Sequence, residues 1–292
     1  MANPHRPVLV MEVVKLMSKR NVVVDATTGA GGHAEALLEA GVGLVIGVDR
    51  DPSALEEATE RLSRFGSRFR PVQAVFSKIA DVVRDAGLTH VGGTLFDLGV
   101  SSMQLDRESR GFSYRAEGPL DMRMGAETDG PTAADIVNSY PEDRLARLIT
   151  EYGEERFGRR IAAAIVRARS REPIATTAQL SAIVAGAVPR TRRGPHPARR
   201  TFQALRLEVN HELEELTASL PQAVSVLDPG GRLVVISYHS LEDRIAKRFL
   251  KGRTDVSVLT PKPIRPSPAE VSENPRARSA KLRAAERKEA AA

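Results

Sequence analysis

Val22-Val23-Val24-Asp25-Ala26-Thr27-Thr28-Gly29-Ala30-Gly31-Gly32-His33 is the stretch on which the fold turns. Three β-branched residues in a row fit a short strand covered on both faces. Gly29, Gly31 and Gly32 then permit left-handed backbone and leave no Cβ between the chain and a bound molecule. Ala34, Leu37 and Leu38 give the next residues a helical stripe, which Gly41 ends. A strand, a glycine turn and a helix in that order predict a parallel α/β sheet. A nucleotide-like ligand would sit at its carboxyl edge, against the free N–H groups of the helix start.

Two cofactor classes fit this turn. Gly29-x-Gly31-x-x-Ala34 matches the dinucleotide fingerprint, and Asp49 follows Gly29 by twenty residues, where a ribose-binding acid belongs. Asp25 argues the other way. A carboxylate at the end of the first strand repels a pyrophosphate but pairs with a cation. S-adenosylmethionine (SAM) carries an α-ammonium and a sulfonium and no phosphate, so Asp25 favours SAM over NAD. A turn with no ligand is disfavoured, because three glycines in four positions weaken a fold that does not need the space.

Composition narrows the chemistry. The 292 residues suffice for one large domain or two ordinary ones, and they contain no cysteine. Disulfides, thiolate zinc sites and a cysteine nucleophile are therefore excluded. No apolar run approaches a membrane span, and the first residues lack a signal-peptide core, so the chain reads as soluble and cytoplasmic. The net charge of +6 suits a polyanionic partner, and Arg190, Arg192, Arg193, Arg199, Arg200 and Arg206 cluster in a stretch without an acid. A merely basic surface accounts equally well for the net charge alone. Aromatic residues make up only 4%, too few for extended base stacking.

Outward from the glycine turn, Leu44–Val48 reads as a second strand ending at Asp49, whose carboxylate can hold a ribose. Asp51-Pro52 starts a helix, with Leu55, Ala58, Leu62 and Phe65 on its core stripe. Pro71–Phe76 reads as a third strand with Phe76 at its end, where ordinary core packing is the simpler reading. Gly93–Phe96 forms a fourth, ending at Asp97. Alternating strands and helices predict right-handed crossovers and a mostly parallel sheet. After Asp97 comes a long loop, then helical stripes from Pro131 to about Ala187, so 106–200 is expected to be an all-helical insertion. Residues 1–105 and 201–292 then make the two parts of the sheet domain. In the second part, Leu205 to Leu220 carries a helical stripe with a restart at Ser219-Pro221, and Arg232–Tyr238 is a fifth strand. Ser240 is expected to cap the next helix, and Val256–Leu259 to be a strand. Lys262–Pro275 reads as a Pro-rich irregular arm, and Ser279–Ala284 as an edge strand.

Four segments together resemble one family. They are Asp25–His33; Asp49-Arg50-Asp51-Pro52; Asp97-Leu98-Gly99-Val100-Ser101-Ser102-x-Gln104-Leu105-Asp106 with Arg110-Gly111-Phe112-Ser113; and Ser237-Tyr238-His239-Ser240-Leu241-Glu242-Asp243-Arg244. The chain resembles the bacterial 16S rRNA (cytosine-1402 N4)-methyltransferase family, also called MraW or RsmH, from His5 to Ser279. Met103, where relatives often have Pro, is a minor departure. The resemblance implies a class I, Rossmann-like SAM-dependent methyltransferase with a helical insertion that recognises RNA. It places Gly31, Gly32 and His33 in the SAM cradle, Asp49 on the ribose and Phe76 on the adenine, with Asp97 and Gln104 completing the pocket. The implied partner is 16S rRNA or the small ribosomal subunit; a homodimer is left open.

Methyl transfer to N4 asks mainly for alignment of the amine with the breaking bond. The cytosine amine is a poor nucleophile, and a carboxylate accepting one N4–H would help it. Asp97 is the candidate catalytic residue; a contact with cofactor alone is the other reading of it. Ser101 and Ser102 would position the base, and His239 either reaches the site or is a satisfied core histidine. No metal is expected. Two further classes stay in view: an NAD-dependent oxidoreductase, for which no hydride-transfer acid pair stands out, and an RNA-binding module without turnover.

Overall fold

The computed structural model describes residues 7–99, 107–125, 130–189 and 196–289. The chain divides into two compact units, one of residues 1–99 with 213–292 and the other of 100–212. No helix among the described residues is long and apolar enough to cross a membrane.

The first unit is built on a seven-stranded sheet of order β3-β2-β1-β4-β5-β7-β6. The strands are β1 (Val22–Asp25), β2 (Leu44–Asp49), β3 (Phe69–Gln73), β4 (Val91–Asp97), β5 (Leu227–Ser237), β6 (Val256–Val258) and β7 (Lys281–Arg287). The first five run parallel, and β7 is antiparallel to both of its neighbours. Strand residues alternate between two apolar cores, as a period of two requires. Val23, Val45, Leu95 and Val234 face α1 (Val10–Met17), α2 (Gly32–Glu39) and α3 (Pro52–Arg61). Val24, Ile46, Phe96 and Val235 face α4 (Ile79–Asp85), α10 (Glu212–Ser225) and α11 (Ser240–Gly252). Gly47 lies inside β2 because a Cβ there would come within 2.6 Å of both Phe69 and Thr28.

The second unit holds α5 (Ala133–Ser139), α6 (Glu142–Glu151), α7 (Gly158–Arg169), α8 (Thr177–Ala187) and α9 (Arg199–Asn210) around a core of its own. Capping boxes at Thr132 and Thr176 start α5 and α8. The loop of 107–125 belongs to this core. Phe112, Leu120, Met122 and Met124 are buried in it, and Asn210 clamps it by donating to the Met122 carbonyl and accepting from the Met124 N–H, each at 2.8 Å.

Several boundaries differ from the sequence reading. The Leu205–Leu220 stripe is broken at His211, which takes φ +51°, and α10 runs straight through Pro221. Its buried stripe of Leu216, Leu220, Ala223 and Val224 outweighs the one hydrogen bond a proline removes. His239, and not Ser240, caps α11, its Nδ1 accepting from the Glu242 N–H. The Pro-rich arm contains α12 (Pro268–Glu273). The expected edge strand is an inner one: β7 is paired on both sides, and β6 is the edge. Its polar residues misled, because Lys281 and Arg283 both reach the Asp243 carboxylate on α11.

Candidate active site

Parallel strands all point one way, so the last residues of β1, β2 and β4 share one edge of the sheet. Those residues are Asp25, Asp49 and Asp97, with Asp25 in register with Gly47 and with Leu95. Asp97 lies 3.2 Å from the imidazole of His33, in the first turn of α2, and the charge of Asp25 also acts on that ring. The edge therefore attracts cations and repels phosphates.

The glycine turn is shaped by hydrogen bonds to its own flanks. The Thr28 hydroxyl donates to the Asp25 carbonyl, and the Gly31 N–H donates to the Thr28 carbonyl. Gly29 and Gly31 take φ of +51° and +79°. Their surroundings differ. A Cβ on Gly31 would lie 3.0 Å from Leu62 Cδ1, and one on Gly32 would lie 3.3 Å from Pro7. A Cβ on Gly29 would meet nothing within 4 Å. Gly31 and Gly32 thus let protein layers approach, and Gly29 is the glycine of the three that faces open space. Asp49 spans the turn: one oxygen accepts from the Gly29 N–H at 2.8 Å and the other from the Asp51 N–H at 2.9 Å. Burial raises its pKa above the ordinary carboxylate value, against these bonds.

Asp25 is 1% exposed. One oxygen accepts weakly from the Thr27 N–H at 3.3 Å, and among the described residues Oδ2 has no partner. Burial pushes its carboxyl up to about 7, although the nearby His33 charge pulls the other way. A buried carboxylate with an empty acceptor fits a cationic ligand and no anionic one.

Asp97 is held from three sides. Its N–H donates to the Thr27 hydroxyl at 2.6 Å, its Oδ1 accepts from the Tyr238 hydroxyl at 2.8 Å, and its Oδ2 lies 3.2 Å from His33 Nε2. Burial would lower the His33 pKa, but Asp97, then Asp25 and Glu270, outweigh it and raise it. Burial, with the Asp97 charge, raises the Tyr238 phenol well above its usual value, so it stays a donor. Phe76 follows β3 in a short 3-10 turn, half-buried, with its ring edge-on to Phe96 at 5.9 Å. Gln104, Ser101 and Ser102 lie outside the described residues.

Among the expected site residues, the structure brings Asp97 and His33 together, and it ties Asp49 to the glycine turn. His239 turns to α11, its Nε2 3.1 Å from Glu242. Thr27 and Tyr238, to which the sequence motifs alone assign no role, both bond Asp97. The signal was available: Tyr238 lies two residues beyond Ile236, which β5 sets in register with Asp97.

A profile of the MraW methylase family matches residues 2–288. The chain belongs to that family. Ribosomal RNA small subunit methyltransferase H of Geobacter sulfurreducens is 51% identical over 307 residues, covering 97% of this chain and 98% of that protein. The protein of the same name from a Methylobacterium species is 50% identical, covering 99% and 92%. A crystal structure of an rRNA methylase from Streptococcus thermophilus aligns with 99% of this chain and 100% of its own, at 13% identity and a TM-score of 0.47. The MraW methylase family chain has the class I, Rossmann-like methyltransferase fold, with its acids at the carboxyl edge.

Proposed function

We propose that this chain is a SAM-dependent methyltransferase acting on the exocyclic N4 of a cytidine, position 1402, in 16S rRNA of the small ribosomal subunit. The observation that carries the cofactor is Asp25, buried with Oδ2 unpartnered at the head of a glycine turn. Its free acceptor suits an α-ammonium. Both Asp49 oxygens keep lone pairs beyond their backbone bonds, and these suit ribose hydroxyls. Gly31, Gly32 and His33 line the turn, Phe76 offers a ring to the adenine, and Gln104 completes the set by its place in the family motif.

Bound there, SAM supplies an electrophilic methyl on a sulfonium. The chain must hold the amine in line with that carbon and accept a proton. Asp97 is the catalytic candidate: accepting one N4–H localises the nitrogen lone pair, and the proton lost afterwards can pass to this carboxylate and its His33 neighbour. Without cysteine, a covalent ring adduct through a thiolate has no nucleophile.

The helical unit is assigned to RNA recognition. Arg199 and Arg200 are exposed at the start of α9 and suit phosphates, although Arg200 also lies 3.5 Å from Glu155. Arg206 is committed elsewhere, bonded twice to Glu212 at 2.7 and 2.9 Å. Arg190, Arg192 and Arg193 lie outside the described residues. The target base must leave its stack to be reached. A substrate in the small subunit supports a cytoplasmic enzyme.

The test is mass mapping of nucleotides after unmethylated small subunits are incubated with protein and SAM. The expected product is N4-methylcytidine at one position. Methylation at a ring carbon, or none, overturns the proposal.

A further inference from the structure

The segment Ser237–Arg244 is the longest motif that the cofactor site leaves unused. Its residues form one connected device. Glu242 is 2% exposed, and its Oε2 accepts from the N–H groups of Tyr238, at 2.8 Å, and His239, at 3.3 Å. The His239 side chain returns a bond to the Glu242 N–H, closing a capping box at the start of α11. Asp243 is anchored to β7 by Lys281 and Arg283. Glu242 thus holds the backbone N–H of Tyr238 and that of the next residue. The ring is fixed as well, since a Cβ on Gly99 would come 3.2 Å from Tyr238 Cδ2. The hydroxyl ends 2.8 Å from Asp97 Oδ1.

We infer that Tyr238 is a positioning residue for methyl transfer: with its backbone N–H held by Glu242, its hydroxyl locks Asp97 Oδ1 and so keeps Oδ2 turned to His33. The inference rests on the proposed methyltransferase reading. A carboxylate on a single strand end can rotate about its last bond. With Oδ1 held by a donor that burial keeps protonated, the rotation is blocked, and the acceptor offered to an amine keeps one direction. Loss of the hydroxyl leaves Oδ1 half-buried without its donor, which frees the carboxylate to rotate. Rotation weakens the negative charge seen by His33, on which Asp25 and Glu270 also act.

The test is Tyr238→Phe, which keeps the ring and its contact with Gly99. With unmethylated small subunits, kcat is expected to fall about 10- to 100-fold, with KM for SAM changed less than about twofold. In the cofactor-free protein, the His33 imidazole titrates at lower pH than in the wild type, read by histidine nuclear magnetic resonance. Unchanged kcat and His33 midpoint in a folded variant overturn the inference. So does a uniform loss of stability and activity with the His33 midpoint unmoved. If Tyr238→Phe does not fold, 3-fluorotyrosine at 238 replaces it: the altered donor should move the His33 midpoint, and an unmoved midpoint rejects the role. Wild-type protein that leaves the RNA unmethylated sinks the methyltransferase reading itself; active wild type beside an unaltered Tyr238→Phe sinks this inference alone.

Discussion

Nε2 of His33 lies 3.2 Å from Oδ2 of Asp97, with the imidazole 5% exposed. The pair joins the first turn of α2 to the end of β4, so it ties the glycine turn to the catalytic candidate. The His33 pKa is raised in the folded chain, because Asp97, Asp25 and Glu270 together outweigh burial. Its stabilising effect is then full below the unfolded histidine value of about 6.5 and is lost as pH rises through the folded value. The melting temperature of His33→Gln should fall furthest below wild type at pH 6, and the gap should narrow towards pH 9. A gap independent of pH would reject the pairing as the source.

Asp25 works in the same direction by a different cause. Its carboxyl is pushed up from 3.8 to about 7, so the unfolded state sheds the proton first and stability declines as pH rises between those values. At pH 8 the buried charge costs the cofactor-free protein up to about 4 kcal/mol. Asp25→Asn should therefore melt higher than wild type at pH 8 and near it at pH 4, while binding S-adenosylhomocysteine at least about tenfold more weakly. Calorimetry of wild type at pH 6 should also show proton release on binding, since an ammonium favours the ionised carboxylate. Equal affinity in the variant would remove Asp25 from the site.

Removing the Asp97 side chain tests the chemistry. Asp97→Ala should lower methyl incorporation at least about 100-fold, the low end for a proton acceptor in the transition state. Calorimetric unfolding should remain cooperative. Retained incorporation would take Asp97 out of the mechanism.

The two left-handed glycines should separate packing from ligand access. Gly31→Ala meets both an unfavourable φ and Leu62 at 3.0 Å, and should lose about 2 kcal/mol in urea unfolding. Gly29→Ala bears the backbone cost alone, about 1 kcal/mol. Its new methyl faces open space, so its larger effect should be on S-adenosylhomocysteine affinity. The reverse ranking in urea would contradict the packing described.

Arg199 is exposed at the head of α9. Arg199→Glu should weaken RNA binding and make the slope of log affinity against log salt shallower by about one. Binding measured between low and physiological salt checks this, and an unchanged slope would free Arg199 from phosphate contact.

The three acids were legible in the sequence because each ends a strand whose apolar run is local. Periodicity and a following helix fix where such a run stops, with no knowledge of distant partners. Tyr238 and Asp97 are 141 positions apart, and only the register of β5 on β4 makes them neighbours. The place of β7 was misread for a related reason. Lys281 and Arg283 look like residues for solvent until Asp243 arrives from another element to neutralise them. His239 displaced Ser240 as the cap because a ring nitrogen accepts a backbone N–H as well as a hydroxyl does. Phe112 and Met122 fall in the long loop after Asp97, where nothing local marks them as the core residues of the helical unit that they are.

Strand β7 enters between two strands made before it. A nascent chain that has emerged as far as Val258 holds β5 and β6 with the ladder between them still unpaired, and only residues 281–287 can close it. Messages cut short of that point would release a polypeptide with two bare strand borders, the kind of surface that recruits other chains into aggregates. Nonsense lesions late in the reading frame should therefore be felt first as insolubility and degradation, before any question of turnover arises.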